Sequence, residues 1–139
     1  MSIIAEQDVS CPIRAEADLL RVREVLRELA RNAGLGIVDQ TKVITAGSEL
    51  ARNILKYAGA GGGELQVETC KQGTRVGVRA TFSDQGPGIP DIPTAMTDGF
   101  STGGSLGIGL PGSKRLVDEF DVTSAPNEGT RIVIVKWGR

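Results

Sequence analysis

The sequence has no histidine. That excludes serine–histidine and cysteine–histidine nucleophilic catalysis, imidazole metal sites and a phosphohistidine carried by this chain. Cysteine is nearly as scarce. Cys11 and Cys70 are the two present, too few for a thiolate zinc site and at a spacing that matches no redox motif, so both are expected to stay reduced. A surplus of either charge is also missing. Sixteen Lys and Arg stand against seventeen Asp and Glu, net charge -1, which lacks the electrostatic footprint of a general nucleic-acid binder; no nucleic-acid partner is expected. Apolar runs are short, as at 132–135, and no helix-length span for a bilayer is visible. The opening residues carry Glu6 and Asp8 where a leader would have an apolar stretch, so the expectation is no signal peptide, no membrane and a cytoplasmic location.

What remains is an ordinary composition with one excess. At 139 residues, 40% apolar and 24% charged, the chain is expected to be a single domain, 1–139, able to fold without a staple. Glycine, at 19 residues, is about twice its average usage, and the glycines cluster. A first strand is expected over 9–14. From Asp18 the apolar residues Leu19, Val22, Leu26, Leu29, Ala30 and Ala33 recur at three- and four-residue steps, which predicts an amphipathic helix with Asp18 near its N-cap and Gly34 closing it. A second helix is expected from Asp39, capped by that carboxylate, with Val43, Ala46, Leu50, Ile54 and Ala58 as its stripe. After a glycine-rich loop over 59–63 the period becomes two. Leu65 and Val67, then Val76, Val78, Ala80 and Phe82, alternate with polar residues around Gln72-Gly73, which predicts an antiparallel hairpin. The stretch 84–106 is rich in Gly, Pro, Ser and Thr, with one helical turn expected over 92–96; a loop of such length inside a small domain is usually functional. A third helix is expected over 107–119, then strands over 121–124 and 130–137 around an Asn127-Glu128-Gly129 turn. Strands interspersed with three helices predict an α/β two-layer sandwich, helices on one face of a mixed, mainly antiparallel sheet.

Three places carry chemistry-bearing residues. Ser48-Glu49-Leu50-Ala51-Arg52-Asn53 puts Glu49 and Asn53 one turn apart on one face of the second helix, off its apolar stripe; alone, such a pair is an ordinary solvated edge. Asp84-Gln85-Gly86-Pro87-Gly88-Ile89 follows a strong strand. It sets a carboxylate at the mouth of the sheet beside glycines that admit a close ligand, or else it is an Asx turn. Gly103 to Leu110 leads into a helix whose first amides are suited to an anion; a flexible tether is the alternative, though Leu106, Ile108 and Leu110 are too apolar for one. Gly107 to Gly112 spells G-x-G-x-x-G, but no strand precedes it and too little chain follows for a dinucleotide-binding unit. A Gly-Lys-Ser/Thr phosphate loop is absent.

Taken together, Glu49/Asn53, Asp84-x-Gly-x-Gly, Gly107-x-Gly109 and Gly129-Thr130 on a late strand resemble the motif series of the GHKL ATP-binding superfamily. Within it the chain is most similar to the RsbT-type serine/threonine kinases of the bacterial stressosome. The likeness is carried by 48–57, by 84–91 and by DGFSTGGSLGIGLPGSKRLVDEF over 98–120, and extends over roughly 18–139. The resemblance implies the Bergerat-type ATP-binding fold, ATP and Mg²⁺ as cofactors, and a role for each residue. Glu49 corresponds to the general base and Asn53 to the metal-holding side chain. Asp84 corresponds to the carboxylate that reads the adenine amino group, with Thr130 supporting it and Gly86, Gly88 and Ile89 lining the base. Gly107 and Gly109 lie where backbone amides meet the phosphates, Ser101, Thr102, Gly104, Ser105 and Leu106 are further nucleotide-binding positions, and 86–106 would form the ATP lid. It further implies STAS-domain scaffold proteins as substrates and a PPM-type serine phosphatase as a later partner. The chain departs from the wider superfamily in having Tyr57-Ala58 after the helix Asn, and it has no transducer or phosphoacceptor segment. Two other readings stay open: an anti-sigma factor kinase that binds a sigma factor directly, and a catalytically silent, nucleotide-gated binding module.

Overall fold

A computed structural model describes residues 7–59, 61–86, 109–124 and 127–138. Along them run β1 (Asp8–Ile13), α1 (Asp18–Asn32), α2 (Ile37–Tyr57), β2 (Gly63–Gln72), β3 (Arg75–Asp84), α3 (Gly109–Leu116), β4 (Glu119–Ser124) and β5 (Thr130–Trp137). The strands form one sheet in the order β1-β2-β3-β5-β4, and every neighbouring pair is antiparallel. The sheet, expected from the sequence to be mixed and mainly antiparallel, is thus antiparallel throughout its described pairings. The helices supply the other layer.

The period-two pattern fixes which face of the sheet is covered. Leu65, Val67, Val78, Ala80, Phe82, Ile132 and Ile134 are buried together with Val22, Leu26 and Leu29 of α1 and Val43, Leu50 and Ile54 of α2 in one core. Antiparallel sheets with one covered face show this alternation, because successive side chains point to opposite sides. The other face carries polar side chains and a small buried apolar cluster of Cys70, Val135 and Trp137. Arg79 pairs there with Glu68 at 2.9 Å, and Arg75 lies over the Trp137 ring, 4.5 Å from its centroid, so these arginines are engaged by neighbours on the sheet. Both cysteines are free and buried, and removal from water raises both thiols above their ordinary range. No described helix is long and apolar enough to cross a membrane.

Several element ends differ from expectation. α2 starts at Ile37, with Gly36 as its N-cap. Asp39, expected to cap it, is buried in the first turn and lies 3.5 Å from Nζ of Lys136. Asp18 likewise opens α1 without capping it forward. Its Oδ2 accepts the backbone N–H groups of Arg14 and Ala15 at 2.8 and 3.0 Å, which straps the incoming chain. Gly63, expected in a loop, already pairs in β2. α3 ends at Leu116 and β4 begins at Glu119, because Glu119 and Asp118 bind Trp137: Trp137 Nε1 donates to Glu119 at 3.0 Å and its backbone N–H to Asp118 at 2.7 Å. The helical turn expected over 92–96, and the lid beyond Gly86, lie outside the described residues.

Candidate nucleotide and phosphoryl-transfer site

β3 ends at Asp84, and the sheet register sets what surrounds it. Asp84 is paired on one side with Gly63 of β2 and on the other with Thr130 of β5. Both contacts are close. A Cβ on Gly63 would lie 2.4 Å from the Ser83 carbonyl and 3.2 Å from the Asp84 Cβ, and one on Gly129 would lie 2.1 Å from the Asp84 carbonyl. Gly129 also has φ 82, a conformation that side-chain-bearing residues rarely adopt. The end of β3 is therefore walled by glycine on both sides.

Asp84 uses one carboxylate oxygen locally. Its Oδ1 accepts the Gly86 N–H at 2.8 Å, an Asx-type turn. Among the described residues Oδ2 has no such bond. The two readings of this aspartate, turn former and ligand acceptor, thus use different oxygens. Thr130, opposite, shares a hydrogen bond with Ser124 at the end of β4, Oγ1 to Oγ 2.9 Å, and Ser124 also donates to the Gly129 carbonyl at 2.9 Å. Sequence reasoning missed Ser124 and Gly63. The only available signal was strand register, which no local pattern contains.

The last turns of α2 lie over this strand end. Ile54 Cγ2 is 2.9 Å from where a Gly63 Cβ would stand, and Ala58, the C-cap of α2, is 2.7 Å from where a Gly86 Cβ would stand. That brings the turn carrying Asn53 to the same end of the molecule as Asp84, Gly86 and Thr130. Glu49 is one turn back along α2. Neither Glu49 nor Asn53 is fully exposed, and the Glu49 side chain retains 14% of its exposure. Glu49 is thus more covered than a solvated helix edge would be. α3 packs against α2 and starts at Gly109, with Leu110 in the shared core. Gly88, Ile89, Ser101, Thr102, Gly104, Ser105, Leu106 and Gly107 lie outside the described residues.

These groups suit an adenine nucleotide. An unengaged carboxylate oxygen accepts an amino group, a hydroxyl stands opposite it, and an amide oxygen on Asn53 is a hard donor for a cation. No cluster of three carboxylate, cysteine or histidine ligands occurs among the described residues. A cation at Asn53 would therefore draw most of its ligands from phosphate and water, the habit of Mg²⁺. A cleft of about 790 Å³ at the opposite end of β3 and β5, lined by Gly34, Arg75, Asp118 and Trp137 among others, includes none of these residues.

Comparison with known proteins gives the family and the fold. Residues 38–137 match the family described as histidine kinase-, DNA gyrase B-, and HSP90-like ATPase. The chain is 49% identical over 133 residues to the serine/threonine-protein kinase RsbT of Bacillus subtilis (strain 168), a match covering 95% of this chain and 98% of that protein. Among solved structures, that of the RsbU and RsbW domains of a Mycobacterium tuberculosis protein superposes with TM-score 0.62 at 22% identity, covering 95% of this chain and 31% of that one. This chain thus spans about a third of that longer protein. The mycobacterial sensor histidine kinase MprB superposes with TM-score 0.58 at 22% identity, covering 97% and 99% of the two chains. At these identities the structural likeness is one of fold.

Proposed function

The chain belongs to the histidine kinase-, DNA gyrase B- and HSP90-like ATPase family, and from that premise we propose how it acts: it is a serine/threonine-protein kinase whose ATP site lies where α2 covers the tip of β3. The observation that carries the reading is the pairing of two half-buried polar residues on α2, Glu49 and Asn53, with a strand-end carboxylate that keeps one oxygen unengaged. A silent binding module needs no base, so the retention of Glu49 beside Asn53 favours an active kinase.

Asp84 accepts the adenine amino group through Oδ2 while Oδ1 keeps its bond to Gly86. Thr130, steadied by Ser124, supports the same edge of the base. The glycines at 63, 86 and 129 let β2, the end of α2 and β5 close in on the tip of β3, which holds the Asp84 carboxylate in place. Asn53 offers its amide oxygen to Mg²⁺, which when bound would offset phosphate charge as transfer proceeds. Glu49 takes the proton of a serine or threonine hydroxyl on a docked protein. That oxygen bonds to the γ-phosphorus, the bond to the β-phosphate oxygen breaks, and ADP leaves. Most of the rate comes from holding these groups in line. Gly88, Ile89, Ser101, Thr102, Gly104, Ser105, Leu106, Gly107 and Gly109 complete the nucleotide site in this reading, with 86–106 as its lid.

The acceptor is a STAS-domain scaffold protein of a cytoplasmic stress-signalling assembly. Its phosphorylation adds about -1.5 to -2 charges, which weakens the complex and releases the kinase to engage a PPM-type serine phosphatase. The test is to incubate the chain with a STAS-domain scaffold and Mg-ATP and to follow phosphate incorporation and complex size together. Phosphorylation followed by dissociation is expected. Stable binding with no incorporation would overturn the kinase reading, and incorporation without dissociation would overturn the partner switch alone.

A further inference from the structure

Glu49 has a companion on its own helix. Arg52 lies three residues on, and its Nη1 is 3.1 Å from Glu49 Oε1. The two side chains differ in environment: Glu49 is 14% exposed and Arg52 is 43% exposed. A carboxylate that is mostly covered is thus held by a guanidinium standing half in solvent. As a contribution to stability the pair is minor, since a helical ion pair with one partner half in solvent adds little. Its geometric effect is larger. A guanidinium is a rigid planar donor, and by holding Oε1 it restricts the rotation of the whole carboxylate. Among the described residues this is the bond Glu49 makes, so Oε2 remains for another donor. Arg52 also immediately precedes Asn53, the residue proposed to meet the metal.

We propose that Arg52 is a positioning residue for phosphoryl transfer: it fixes the Glu49 carboxylate so that its second oxygen meets the acceptor hydroxyl. The inference rests on Glu49 being the base. It assigns Arg52 no contact with nucleotide, so its removal acts through Glu49 and on turnover rather than on ATP affinity.

Four proteins test this: the parent, Arg52→Ala, Arg52→Lys, and Arg52→Ala combined with Glu49→Ala. For each, ATP affinity is measured by calorimetry, and kcat and KM with a protein acceptor by phosphate incorporation. Arg52→Ala is expected to keep ATP affinity within about twofold while kcat falls about 10- to 100-fold, the effect of a catalytic group misplaced by roughly an ångström. Arg52→Lys recovers part of kcat, because an ammonium restores the charge but not the planar grip. In the Glu49→Ala background the same Arg52 change costs nothing further, because residues that act as a unit are not additive. Parental kcat in Arg52→Ala, an equal loss of ATP affinity, or a full additional loss in the double variant would each overturn the proposal. A parent that transfers no phosphate at all overturns the kinase reading first, and this inference with it.

Discussion

Asp84 commits Oδ1 to the Gly86 N–H, and in the proposed site Oδ2 is the oxygen that meets the ligand; this division makes a sharp substitution possible. Asn at position 84 still accepts from Gly86 through its carbonyl oxygen, so the turn survives. The other position then holds an amino group, which meets the adenine amino donor with a second donor. Loss of one buried acceptor costs about 1–3 kcal/mol, so ATP affinity of Asp84→Asn should fall about 10- to 100-fold with little change in melting temperature. Calorimetric titration reads this directly, and parental affinity would remove Asp84 from the site. A second residue-scale case is Lys136. It is buried, with its Nζ 3.5 Å from carboxylate oxygens of both Asp39 and Asp118. Removing one partner of a buried ion pair typically costs about 3–5 kcal/mol, because the charge left behind stays desolvated. The lower end applies here, since the Asp118 side chain is 30% exposed. Lys136→Met is therefore expected to lower the urea midpoint by the equivalent of about 3 kcal/mol; an unchanged midpoint would mean that water reaches these carboxylates.

The α1–α2 pair shows where element-scale packing outweighs local preference. A Cβ on Gly47 of α2 would stand 2.3 Å from Leu26 Cδ1 and 3.4 Å from Phe82 Cζ, and both side chains are in the core. Alanine at 47 gains about 1 kcal/mol in helix propensity, but overpacking a filled core costs about 1–3 kcal/mol. Gly47→Ala is thus expected to destabilise by about 1 kcal/mol, read from chemical denaturation, whereas a stabilised variant would show that Leu26 finds another rotamer without cost. At the start of α1, the backbone N–H groups of Arg14 and Ala15 hold the Asp18 carboxyl below its usual range. A depressed carboxylate adds stability above its unfolded value of about 3.9 and loses it as pH falls through the lower folded value. Asp18→Ala should therefore be less stable than the parent at neutral pH, with the gap closing in acid; a constant gap at all pH would mean that the strap works without charge. Element types were legible wherever the apolar period was long. β5 runs over the expected 130–137, and the β2–β3 hairpin turns at Gly73 as expected. Ends were legible only where local chemistry sets them. α2 begins at Ile37 rather than Asp39 because Asp39 is turned inward to Lys136, and α3 stops short because Trp137 binds Asp118 and Glu119. Both partners come from the last strand, beyond the reach of any local pattern.

For the whole molecule, the sheet order β1-β2-β3-β5-β4 puts the tip of β3 beside the start of β5, and α2 runs above both. That topology brings separate sequence motifs to one end of the molecule. Glu49, Asn53 and Asp84 were readable as residue types with suitable spacing, and Thr130 through the resemblance to a known motif series. Ser124 and Gly63 were not, because they join the site through register alone. Arg52 was visible in the string but anonymous until its guanidinium was seen against Glu49. The central claim is that this end of the molecule binds ATP and transfers its γ-phosphoryl group through Glu49. Its most direct test measures ATP affinity and phosphoryl transfer side by side in the parent and in Glu49→Ala. Binding should persist within about twofold while transfer drops about 10²- to 10⁴-fold, the usual contribution of a general base. Transfer by Glu49→Ala at the parental rate would contradict the account.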